Sequence, residues 1–516
     1  MKNMKKFKLF TLGILLISSI SCTDDLNTEP LVELSLEELL QQDPNAVTGI
    51  LSKLYGSFAL SGADGPGSSD IVGDDAGESP FLRGIINLQE FTADGMKNRW
   101  GDDGLDQLTT TSNWDENNKF FRYLYNRAYY TIPQCNNLLI VLNNVDVANK
   151  EQVISEVRFL RSLAYYYLID CFGKGVLATE ANYGQSTPLP EASRQELFDF
   201  VESELLAIET SLPDTNSYGR ANKSVARMLL AKLYLNADVY TGTPKYNEAL
   251  TFVSKVITEG GYSLDTNFGR VFSGNNNNSP EIIYPLIADP LVSQSYGNTT
   301  YLVNGSLNVE TMTISDFGAT QGWGGHRSTK AWYGLFGNLN TSTDDRADLF
   351  WTNGHTFEMT DYKQWTNGYP STKFRNSNFG GSSTPTDFSG TDFPLFRLAD
   401  AYLMYAECVV RGASGGSTAQ ALTYVNNIRL RSNATVVSAG DLTLDFILDE
   451  RGRELMFEGH RRTDLIRFGK FSGGSYLWPW KGGVVNGTSI PSTYELFPIP
   501  LLALQANPNL TQNPGY

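Results

Sequence analysis

Three hexapeptides, Leu163 to Leu168, Leu230 to Leu235 and Leu398 to Leu403, share the pattern L-A-x-x-Y-L. Their apolar positions recur three or four residues apart, so each copy places a stripe along one helix face. The Ala keeps that face slim enough for a neighbouring helix to approach. The second and third copies are followed by matching partners, Ala249-Leu250-Thr251-Phe252-Val253 with Val256 and Ala421-Leu422-Thr423-Tyr424-Val425 with Ile428. Gly242-Thr243-Pro244 and Gly412-Ala413-Ser414-Gly415-Gly416 supply the turns between them. The pattern predicts a mainly α chain of tetratricopeptide-like helix pairs, with helical regions at about 118–260 and 396–460. The copies are too widely spaced for a regular array.

The helical period fades over about 261–395, where Gly, Asn, Ser, Thr and aromatic residues dominate and Glu281 to Ile287 reads as a short strand. A similar stretch runs over about 61–117. Loops this long in a compact body are more often contact surfaces than connections. After Asp441 a final amphipathic helix is expected through Phe446, Ile447, Leu455, Met456 and Phe457 into Gly459-His460. Its Glu450, Arg451, Arg453, Glu454 and Glu458 are read as i,i+3 and i,i+4 pairs on a structural face rather than as catalytic groups.

At the N-terminus Lys2, Lys5, Lys6 and Lys8 precede an apolar run from Leu9 to Ile17 and small residues through Ser21, the three parts of a secretory signal over 1–21. The run is too short to span a bilayer. Cys22 directly after it, followed by Asp24 and Asp25, reads as a lipid-modified mature N-terminus. An acidic tether over 22–45 then leads into one body over 46–516.

Removing the signal's four lysines and no acid lowers the formal charge from -16 to about -20, which disfavours nucleic acid as a partner. With Cys22 set aside, Cys135, Cys171 and Cys408 are an odd number without CxxC spacing, so no disulfide framework is expected. His326, His355 and His460 are widely separated and fit neither zinc-ligand spacing nor histidine-based catalysis. No phosphate-cradling Gly-Lys-Ser/Thr loop or dinucleotide GxGxxG appears. Gly412 to Gly416 matches GxSxG, but between two helices it lacks the strand-to-helix setting of a nucleophile elbow. No cofactor is implied. Asp74-Asp75 with Glu78 and Asp102-Asp103 with Asp106 could offer hard oxygen ligands to a structural calcium ion, but without EF-hand spacing they read first as solvated acidic loops, with hydrogen bonding to a polyhydroxyl ligand as the competing role.

Four segments then carry a family resemblance: Glu156-Val157-Arg158-Phe159-Leu160-Arg161, Phe396-Arg397-Leu398-Ala399-Asp400-Ala401-Tyr402-Leu403, Glu454 through Leu465, and Asn507 through Tyr516. With them the chain resembles the SusD/RagB outer-membrane lipoproteins from Cys22 to Tyr516. The resemblance implies a single α-helical body with tetratricopeptide-like pairs and a loop-rich ligand face. It also implies a non-enzymatic role at the cell exterior, lipid-anchored to the outer membrane, with a SusC-like TonB-dependent transporter as partner.

Within that family, Asp75 to Ser79, Arg83, Thr92 to Asp94, Trp100, Tyr296 to Val303, Gly322-Trp323 and Tyr476 to Gly483 look like the starch-binding branch. By that likeness Trp100, Tyr296 and Trp323 would form an aromatic arc for starch or maltooligosaccharide. Asp75 and Arg83 would bond glucose hydroxyls, and Asp103 would stand where the branch has Asn. Asn98 sits where an extra aromatic is expected, while Trp478 and Trp480 are read as packing residues. Two other readings compete: the same fold with another glucan such as laminarin, or a peptide, as ligand; and a glycoside hydrolase, for which no carboxylate pair stands out.

Overall fold

The computed structural model describes residues 34–101, 104–381 and 383–516. Its helical body is a succession of neighbours: α1 (Lys119–Asn144), α2 (Lys150–Cys171), α3 (Arg194–Glu209), α4 (Lys223–Leu235), α5 (Tyr246–Glu259), α6 (Leu398–Val410) and α7 (Thr418–Arg431). Each packs on the next, α5 meeting α6 across the long insertion between them. The three repeated hexapeptides lie on α2, α4 and α6, and their Leu and Ala residues are almost completely buried. Side-chain caps mark several starts: Asn118 accepts from Phe120 N, Ser193 forms a capping box with Glu196, Asn222 accepts from Val225 N and Ser417 from Gln420 N. Tyr402 and Tyr424 stack at 4.3 Å where α6 meets α7.

The body starts before residue 46. Leu36–Gln42, inside the segment expected to be an acidic tether, is a helix with a Ser35/Glu38 capping box, and its Leu40 is fully buried. The leader and Cys22 lie outside the described residues.

Short strands organise the loops. β1 is Met96–Asn98, β2 Gly175–Val176, β3 Glu191–Ala192, β4 Ile282–Leu286, β5 His326–Ser328 and β6 Phe393–Arg397. The strand expected near 281–287 is β4, and it pairs antiparallel with β6, the residues leading directly into α6. The insertion therefore leaves and returns at one place. A second antiparallel pair, β1 with β5, joins the early loop region to the insertion and sets Asn98 opposite His326.

The last helix differs from the expectation in two ways. It ends at Leu455, turns through Phe457 and Gly459, both at positive φ, and restarts as Arg461–Arg467. Its charges are neither solvated nor mainly paired along the helix: Glu450, Glu454 and Glu458 are at most 1% exposed. Arg453 to Glu450 at 2.8 Å is the i,i+3 pair present, and the other partners come from distant segments. Arg397 bonds Glu281, Glu454 and Glu458 at 2.6–2.7 Å. Arg346 bonds Glu450 and Glu454 at 2.9 and 2.8 Å, and Arg431 joins Glu281 to Glu454. Lys373 pairs with Glu458 and donates to the Met456 carbonyl. Desolvating each charge costs several kcal/mol, so the cluster persists because every member meets more than one partner.

Two expectations follow. Glu454→Ala leaves three buried guanidinium groups short of an acceptor and is expected to cost about 3–5 kcal/mol in urea unfolding, a result within error of the unchanged chain being the refutation. Burial pushes the Glu450 carboxyl up, but Arg346, Arg453 and Arg429 outweigh it and hold it at about 2; Glu454 and Asp464 are depressed in the same way. Their stabilisation is complete above the unfolded carboxylate range near ~4.3 and is lost as pH falls through the folded values. The unfolding temperature should therefore drop between about pH 4.3 and 2, by an amount that Glu450→Gln reduces.

Candidate functional site

The helix Phe81–Ile86 runs into a π-turn over Asn87–Phe91, then β1, and delivers Trp100 to the loop face. Asn98 accepts the Trp100 backbone amide on Oδ1 at 2.7 Å and so holds the loop. Arg99 N donates to Gly325 O, extending the β1–β5 register, and Trp100 Nε1 donates to the Trp323 carbonyl at 3.3 Å. A Cβ on Gly325 would lie 2.6 Å from the Trp100 ring. Glycine there leaves room for the indole to approach the backbone this closely.

Trp100, Trp323 and Tyr296 come together, although they lie far apart in sequence. Trp100 and Trp323 have ring centroids 6.5 Å apart at 51°, and Trp323 and Tyr296 are 6.4 Å apart at 48°. Each ring is turned by about half a right angle from the next, so the three faces do not form a flat shelf. Both indoles are half-buried and Tyr296 is 40% exposed. Gln321 Oε1 accepts from Trp323 Nε1 at 3.1 Å, and Phe388 abuts Tyr296 at 4.9 Å.

A second layer backs the arc. His326 packs among Phe91, Trp100, Tyr301 and Phe457 at centroid distances of 4.5–5.8 Å. Burial, then the charges of Arg83 and Arg327, hold its imidazole well below the usual histidine range, so it serves as a neutral aromatic spacer. His460 is also neutral, pushed down to about 3 by burial and Lys232.

Asp75 is exposed beside this arc. Its Oδ1 accepts Gly77 N at 2.6 Å, and Gly77 packs directly on Tyr296. Arg83 sits beneath that turn with about a tenth of its side chain accessible: it donates to Gly77 O at 3.2 Å, pairs with Glu78 at 3.5 Å and lies 4.4 Å over the Tyr301 ring. Asp103 lies outside the described residues. Glu78 is taken up by Lys119 at 2.9 Å as well as by Arg83, and among the described residues no cluster of three His, Cys, Asp or Glu is arranged to hold a metal ion. Trp478 is buried in a packing cluster, and Trp480 donates to Met359 O. Sequence reasoning missed Phe388, an aromatic set among Asp, Ser and Gly in a loop, and the backing role of His326.

Comparison with known proteins places the chain in a family and agrees with its fold. Residues 347–516 match the model of the SusD family, and residues 78–235 match a model described as starch-binding associating with outer membrane. The starch-binding protein SusD of Bacteroides thetaiotaomicron is 32% identical, with 99% of this chain and 98% of that protein covered. The chain belongs to the SusD family. A SusD superfamily structure from Parabacteroides distasonis superposes with TM-score 0.72 at 22% identity, covering 94% of this chain and all of the other. The surface glycan-binding protein A of B. thetaiotaomicron, solved with laminarihexaose, superposes with TM-score 0.69 at 19% identity over 91% of this chain and 99% of the other.

In this SusD-family chain Trp100 and Arg83 fall inside the matched stretch 78–235 and the buried charge cluster largely inside 347–516. Tyr296 and Trp323 fall between them. No described helix is long and apolar enough to cross a membrane.

Gly325→Ala is expected to push the Trp100 ring aside. Near-UV circular dichroism should change while far-UV signal and unfolding midpoint stay close to those of the parent, and an unchanged near-UV spectrum would contradict the close packing.

Proposed function

We propose that this protein is a non-enzymatic surface lipoprotein, anchored through Cys22 to the outer face of the outer membrane. It captures starch or maltooligosaccharide and passes it to a SusC-like TonB-dependent transporter. The observation that carries the reading is the Trp100–Trp323–Tyr296 arc, with Asp75 at its edge. A pyranose has an apolar C–H face that stacks on such rings, while its hydroxyls seek carboxylate and amide partners. Covering one face removes roughly 50 Å² of apolar area, worth about 1 kcal/mol. Three platforms with a few polar contacts, less the cost of association, give affinities of about micromolar to millimolar. Such affinities suit a protein that holds a polymer and must release it.

The 32% identity to a starch-binding relative supports an α-glucan over other ligands. Retardation in native gels containing amylopectin but not laminarin is expected. Retardation by laminarin alone would move the ligand to a β-glucan, and turnover of maltoheptaose by pure protein would make it a hydrolase. Trp100→Ala and Trp323→Ala should each weaken amylopectin retardation at least tenfold with the fold kept, since each removes a platform and exposes its neighbour. Full retardation in both variants would refute the arc.

A further inference from the structure

Beside the arc lies a separate cleft of about 560 Å³ between the 274–278 turn, the 287–290 segment and residues of 376–378 and 383–390. None of the three arc rings lines it. We propose that this cleft is a second subsite for the same neutral polyhydroxylated ligand, holding sugar units that run on past Tyr296. The proposal rests on the glycan-binding reading above and extends it.

The chemistry of the walls selects the ligand class. Asn275, Asn277, Asn378 and Asp289 face the cleft with Tyr218, and among the described residues no Lys, Arg or His lines it. Without a cation and with two carboxylates, Asp289 and Asp392, it repels phosphate and carboxylate ligands. A side-chain amide both donates and accepts, matching a hydroxyl that does the same. A neighbouring cavity of 370 Å³, which shares Tyr218 and Ile287 with the cleft, is more apolar, walled also by Leu51, Leu60 and Pro285.

Part of the wall is already rigid and part is open. Asn376 donates to Gly318 O and Thr386 Oγ1 and accepts from Gly390 N, while Asp392 accepts from Ala288 N and from the Tyr218 hydroxyl at 2.7 Å. These bonds hold the floor. Asn378 makes no side-chain hydrogen bond to any described residue, Asn277 uses its carbonyl for Asn278 and keeps its NH2 open, and Asp289 uses only Oδ1, for Leu291 N and Val292 N. Tyr218 is 43% exposed.

The cleft and the arc share two segments. The 386–390 loop lends Thr386 and Gly390 to the cleft and Phe388 to the arc, and the chain from Asp289 to Tyr296 lends one end to each. Two residues of extended chain span at most about 7 Å, so Phe388 lies within that reach of both Thr386 and Gly390. A glycan crossing Tyr296 and Phe388 is thus brought to the cleft, and binding at the arc makes the second contact intramolecular.

The test is calorimetric titration of the full mature chain with maltotriose and with long-chain maltodextrin, comparing the unchanged protein, the double variant Asn277→Ala/Asn378→Ala and Trp323→Ala. Both asparagines are at least partly exposed, and the unfolding midpoint of the double variant checks its fold. The double variant is expected to lose about five- to tenfold in affinity for the long chain, as for one or two hydrogen bonds, and none for maltotriose. Equal long-chain affinity in the double variant and the parent, with Trp323→Ala abolishing both ligands, would overturn the second subsite and leave the arc standing. Equal losses for both ligands would also overturn it, because the cleft would then not be separate. If the unchanged protein binds neither saccharide, the glycan reading and the subsite fall together.

Discussion

The structure depends on a buried cluster of charges that no single helix supplies. Arg397 stands at its centre, holding Glu281, Glu454 and Glu458, while Arg346, Arg431 and Lys373 close the remaining acceptors. These residues come from the position just before β4, the end of β6, the insertion, α7, and the helix ending at Leu455 with the turn that follows it. A charge so buried tolerates no half-measures: an unpaired guanidinium in the interior costs more than most apolar contacts return. The five segments therefore assemble together, and the cluster sets where the insertion is rooted on the helical body.

From there the constraint reaches the loop face by contact. Lys373 binds the carbonyls of Glu454 and Met456, fixing the turn where Phe457 takes a positive φ. Glu90, on the π-turn before β1, accepts the amides of Gly459 and His460 from the other side, and its carboxyl is raised to about 7 by burial against those opposing bonds. Phe457 packs on His326, and His326 on Trp100. An open, shallow face of aromatic rings is thus seated on a rigid base. Rings held in advance lose little freedom when a ligand covers them, which the proposed capture of a sugar would require. Two glycines do similar work at closer range: Gly325 under Trp100 and Gly77 against Tyr296 sit where any Cβ would collide.

The helical frame was legible because its signals are local. L-A-x-x-Y-L at α2, α4 and α6, the glycine-rich turns and the strand at 282–286 each follow from residues a few positions apart. The last helix was misread for the opposite reason. Glu450, Arg453 and Glu454 have the spacing of solvated pairs, and nothing on the helix itself reveals that Arg346, Arg397 and Arg431 will arrive to bury them. Leu36–Gln42 was hidden by its acidic composition, with Leu40 buried and Leu36 packed against the core to dock it.

By itself the sequence determined the class of fold, the helix pairs, the loop-rich segments and, through resemblance, the aromatic residues brought to the site. Periodicity and motif spacing encode these directly. Only the tertiary structure decided that Trp100, Trp323 and Tyr296 are tilted neighbours, that Arg83 lies beneath the Asp75 turn, and that Asn98 and His326 support the rings. It alone also opened an amide-lined cleft next to them. Those facts depend on strand pairing and charge burial between segments more than two hundred residues apart, as β1 with β5, and on a balance of desolvation against pairing that no local window contains.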